Sequence, residues 1–87
     1  MKLPLSYNLN TEPAPTTDLA TVSVRDEDDK LICIVHVNAT YGGSLEIIDF
    51  DRYSDHLGMI VKLAKTFKSA KCADLGAVQT VFDAFPK

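Results

Sequence analysis

Apolar and polar residues alternate from the start of the chain: Leu3, Leu5, Tyr7 and Leu9 are interleaved with Lys2, Ser6, Asn8 and Asn10. Period two over that length predicts a half-buried strand. Pro4 has no amide hydrogen to give to a ladder, so the strand belongs at a sheet edge or begins late. Thr11 to Thr17, Thr-Glu-Pro-Ala-Pro-Thr-Thr, reads as a stiff extended spacer. Ala20, Val22 and Val24 then alternate with Thr21, Ser23 and Arg25, a second strand. Asp26 to Lys30 forms a turn, rich in side chains that hydrogen-bond their own backbone. Leu31 to Val37 is apolar at nearly every position, which predicts a central strand covered on both faces. Tyr41-Gly42-Gly43-Ser44 predicts another turn, and Leu45 to Ile48 the third strand of a meander.

The period changes at Asp51. Tyr53, Leu57, Ile60, Ala64 and Phe67 recur at helical spacing, with Val61 alongside. They predict one amphipathic helix over 51–70. Asp51 or Ser54 is the expected cap, since either can accept from an orphan amide of the first turn. Gly58 marks either close backbone packing or the start of regular helix. Leu75, Val78, Phe82 and Phe85 predict a short second helix, ended by Pro86, although Val78, Thr80 and Val81 also suit a strand. The fold class is α+β: a three- to four-stranded antiparallel β-meander packed by one amphipathic helix and a short C-terminal helix. Residues 1–18 form an extended arm and spacer, and residues 19–87 a single domain.

Eighty-seven residues, 46% of them hydrophobic, suffice for one core but not for a large pocket walled by one subunit. The net charge of -3 is too acidic for a dedicated nucleic-acid binder. The acids concentrate before residue 56 and the lysines after it. No apolar run has the length of a signal peptide or a membrane span. Two cysteines, Cys33 and Cys72, are few for a small secreted domain. Two free thiols and a cytoplasmic location are therefore expected.

Candidate chemistry is sparse. An EF-hand starting at Asp26 would need Gly and Glu where Leu31 and Val37 stand. Cys33 and His36 have opposite parity and point to opposite strand faces, which opposes a shared metal. Tyr41-Gly42-Gly43-Ser44 lacks the Lys and hydroxyl of a phosphate loop. No nucleophile, base and orienting group stand out. The chain is thus expected to be neither a metalloprotein nor an enzyme, and to need no cofactor. Three surface features remain as candidates for partner binding. Asp26, Glu27, Asp28 and Asp29 create a local negative potential. Lys62, Lys65 and Lys68, with Arg52, could meet an acidic protein or a nucleic-acid backbone. Leu3, Leu5, Tyr7 and Leu9 could complete their own sheet, exchange onto a second copy, or add to a partner's edge.

The order of hairpin, third strand and capped amphipathic helix spans residues 19 to 69. It runs from Leu19-Ala-Thr-Val-Ser-Val-Arg-Asp-Glu-Asp-Asp-Lys-Leu-Ile-Cys-Ile-Val to Asp49-Phe-Asp-Arg-Tyr-Ser-Asp-His-Leu-Gly-Met-Ile. In size, layout and acidic tone this resembles small phage- or prophage-encoded accessory proteins, including anti-CRISPR inhibitors. The resemblance implies a stoichiometric inhibitor or adaptor in the host cytoplasm that blocks or tunes a larger host complex. It assigns no functional residue. The alternative is a small nucleic-acid-associated regulator using the lysine-bearing helix. A homodimer fits either.

Overall fold

Four strands pair in chain order. The computed structural model describes residues 5–11 and 18–86. In it β1 (Ser6–Asn10), β2 (Asp18–Arg25), β3 (Leu31–Asn38) and β4 (Gly42–Ile47) form one antiparallel sheet, ordered β1-β2-β3-β4. Three helices follow: α1 (Phe50–Asp55), α2 (Leu57–Ala70) and α3 (Leu75–Ala84). The α+β class expected from the periodicity is the one observed. Leu3 and the Pro13/Pro15 spacer lie outside the described residues. Leu5, Tyr7 and Leu9 pack on the core of their own chain, and β1 is an edge strand of the same sheet.

Register builds the core. Leu9 aligns with Val22, Val35 and Leu45 across the four strands, and Tyr7 aligns with Val24, Cys33 and Ile47. One sheet face is thereby apolar, as period-two side chains require. Ile60, Leu63 and Phe67 of α2 bury against it, as do Val78 of α3 and the following Phe85. The rings of Tyr7 and Phe85 meet edge to face at 5.8 Å and 79°.

The other sheet face is only partly covered, so the apolar run of β3 is not matched by full burial on both sides. Thr21, Ser23, Ile34 and His36 are half-buried there, and Ser44 and Glu46 are exposed. A β-bulge explains part of the unbroken apolar run. The register passes from Val24↔Cys33 to Arg25↔Leu31, leaving Ile32 as the extra residue. A bulge re-aims its side chain, and Ile32 and Cys33 are both fully buried in the core.

Three further expectations shift. The 51–70 helix is two helices, broken at His56 (φ -125°, ψ 24°). Gly58 has nothing within 4 Å of where a Cβ would stand, so it marks the helix start rather than a close approach. The cap of α1 is Asp49, not Asp51 or Ser54: its carboxylate accepts from the Arg52 amide at 3.1 Å. Asp49 is extended backbone, as a cap requires, whereas Asp51 and Ser54 already lie within the helix. Finally, the β3–β4 turn falls at Ala39–Tyr41, where Asn38 Oδ1 accepts from the amides of Thr40 and Tyr41. Gly42 and Gly43 belong to β4 and have another role. A Cβ on Gly42 would stand 2.8 Å from the Lys68 carbonyl oxygen, and one on Gly43 3.1 Å from that of Ala64. The two glycines let the α2 backbone rest directly on the edge strand.

Candidate functional site

The acidic turn is partly consumed by the fold. Asp26 Oδ1 accepts from the amides of Asp28 (2.9 Å) and Lys30 (3.0 Å), and Oδ2 accepts from Arg52 Nη1. The Lys30 amide, then Arg52 and the Asp28 amide, hold the Asp26 carboxyl below its ordinary range, although burial opposes them. Arg52 Nε also lies 3.2 Å from Asp49 Oδ2, and its Nη1 4.0 Å from Asp28 Oδ2. Asp26 and Arg52 therefore face each other and fasten the turn to α1. Glu27, Asp28 and Asp29 remain exposed.

Beside this clamp lies a surface that periodicity did not reveal. Ile47, Ile48, Phe50 and Leu57 are exposed, Phe50 to 68%. Helix α1 buries none of its residues. Its outward acids are Asp51 and Asp55. Reading 51–70 as one helix placed Leu57 in the buried stripe and omitted Leu63; the observed stripe is Ile60, Leu63 and Phe67. Periodicity held no signal for this surface, since Phe50 lies three residues before Tyr53 and continues the same stripe.

The lysines do not form one patch. Lys62 and Lys65 border a groove between α2 and α3, about 820 Å³ in volume, floored by Val61, Val81, Ala84 and Phe85. Lys68 stands on the β4 side, where its backbone underlies Gly42 and Gly43. Arg52 is engaged with Asp26.

His36 sits on the open sheet face and ties three strands together. Nδ1 is 2.8 Å from Asp18 Oδ2 on β2, and Nε2 is 2.8 Å from Glu46 Oε1 on β4. Burial works against the charged ring, but the hydrogen bonds it donates to Glu46 and Asp18 outweigh it and raise the pKa above its ordinary value. A raised folded pKa means that the protonated ring stabilises the fold. That contribution is complete below the ordinary histidine range and is lost as pH rises through the folded value. Thermal melts at pH 6 and pH 8.5 are expected to show a larger loss at high pH in the wild-type protein than in a His36→Gln variant. Equal losses would deny the double clamp.

Neither cysteine is a ready nucleophile. Both are free and buried; burial pushes the Cys33 thiol up to about 11 and raises that of Cys72. Among the described residues no group of three or more His, Cys, Asp or Glu could hold a metal ion. No described helix is long and apolar enough to cross a membrane. The chain matches no family model, no curated protein and no solved structure.

Proposed function

We propose that this chain is a non-enzymatic protein-binding domain, an inhibitor or adaptor that docks a larger protein through the α1 end of the molecule. The observation that carries this reading is the exposure of Ile47, Ile48, Phe50 and Leu57 around a helix with no buried residue. A free-standing surface of that kind marks an interaction site more often than a structural element. Asp51 and Asp55 of α1 add exposed acids, and Glu27, Asp28 and Asp29 add more from the β2–β3 turn. The partner surface is accordingly basic around an apolar centre. Large aromatic anchors with a charged surround are the usual centre and rim of such contacts. The Asp26–Arg52 clamp supports the reading by holding the acidic turn against α1.

The test is affinity capture from lysate of the source cell with three baits: wild type, Phe50→Ala, and Asp28→Lys with Asp29→Lys. A stoichiometric partner is expected on the wild-type bait. Phe50→Ala should weaken it by roughly ten- to thirty-fold, as losing an interface anchor costs about 2 kcal/mol. The melting curve should stay unchanged, because Phe50 is exposed. The same partners at the same strength on all three baits would refute the assignment.

A further inference from the structure

We infer that the groove between α2 and α3 is a second docking site, and that its occupant is an acidic amphipathic helix of a partner protein. None of its lining residues belongs to the α1 surface, so this inference stands or falls apart from the reading above.

The groove follows one stripe of α2. Gly58, Val61, Lys62, Lys65, Thr66 and Ser69 recur at helical spacing beside the stripe that faces the sheet. From Gly58 to Ala70 the wall runs for about 18 Å at the helical rise, three turns of a docked helix. The opposite wall comes from Val81, Ala84 and Phe85. A cleft between two helices exposes no strand edge, so a third helix packs there and an extended peptide finds no ladder to join. Gly58, Ser69, Ala70 and Ala84 are small, which lets a helix axis come to the ordinary packing distance of roughly 8–10 Å.

Charge selects among helices. Lys62 and Lys65 both border the groove, and no Asp or Glu lines it. Neither lysine joins an ion pair among the described residues. Asp83, the acid of α3, is hydrogen-bonded by Gln79 instead. An apolar floor beside two unspent ammonium groups matches a ligand helix with apolar residues at i, i+3, i+4 and i+7 and carboxylates along one flank.

The test uses the full chain, ¹⁵N-labelled, and two synthetic 14-residue amphipathic helices. They share a leucine stripe and differ in carrying Glu or Lys beside it. Amide shifts from the Glu peptide are expected to saturate and to fall on 58–70 and 81–85. Lys62→Glu with Lys65→Glu should weaken that peptide at least tenfold and strengthen the Lys peptide. Ala84→Trp, which fills the groove, should block both. Equal binding of the two peptides, shifts centred on α1, or no shifts at all would each overturn the inference. So would groove shifts produced by laurate or by a twelve-nucleotide poly(U) when the Glu peptide gives none, since the occupant would then be a lipid or a nucleic acid.

Discussion

Gly43→Ala is expected to destabilise the fold by about 2–3 kcal/mol, as over-filling a close-packed contact does. For a domain of this size that lowers the melting temperature by roughly 10–20 °C. The added methyl would stand 3.1 Å from the Ala64 carbonyl oxygen and 3.2 Å from the Lys68 amide nitrogen. Both are backbone atoms of α2, so the helix backbone itself must give by a few tenths of an ångström to admit the methyl. Gly42→Ala should be worse. Its Cβ would meet the Lys68 backbone at 2.8 and 2.9 Å, and its φ of +84° suits glycine. Phe67→Leu should rescue neither variant, because the obstruction is the helix backbone and not the aromatic ring. Gly58→Ala is the contrasting control: it meets nothing within 4 Å and should stabilise α2 by up to about 1 kcal/mol. Urea and thermal melts of these variants check the set. Wild-type stability in Gly42→Ala and Gly43→Ala would mean that α2 does not rest on β4.

Phe67→Ala is expected to cost more still, about 3–5 kcal/mol, from lost burial and an unfilled cavity. Phe67 is the largest of the fully buried side chains, and its Cβ lies 3.5 Å from the Cβ position of Gly43. It therefore wedges α2 against the sheet beside the close approach at Gly43. A chain of 87 residues has a total stability of roughly 4–13 kcal/mol at the usual amount per residue. Phe67→Ala should thus leave a substantial unfolded population at 37 °C, seen as a broadened or absent melting transition. A loss below about 1 kcal/mol would show that the α2–sheet contact does not carry the fold.

The order of strands and helices was legible from residue periods alone, because half-buried strands and amphipathic helices repeat at 2 and 3.6. Cap, break and bulge were less so. Asp49, Asp51 and Ser54 are all competent caps by chemistry, and only backbone geometry selects Asp49. The break at His56 leaves no mark in the apolar spacing. The bulge at Ile32 turns what reads as a two-sided strand into one buried face and one open face. Gly42-Gly43 carries a turn signature, yet its use is tertiary: a helix far along the chain needs the space. The candidate charges divided for similar reasons. Four adjacent acids look equivalent in sequence, but Asp26 turns inward because it can accept two turn amides and Arg52 at once. Lysines three residues apart drift around a helix, and the sheet, taking one side of α2, separates Lys68 from Lys62 and Lys65. Phe50 was invisible as a surface group because its neighbours read as the end of a strand.

The edge-to-face contact of Tyr7 with Phe85 joins the first strand to the residue that closes the last helix. The two ends of the domain are thus a clasp rather than loose threads. Trimming Phe85 would bare Tyr7 and loosen an edge strand some eighty positions earlier in the chain. Part of that clasp is poorly satisfied, for the Tyr7 hydroxyl is buried without a hydrogen-bond partner among the described residues.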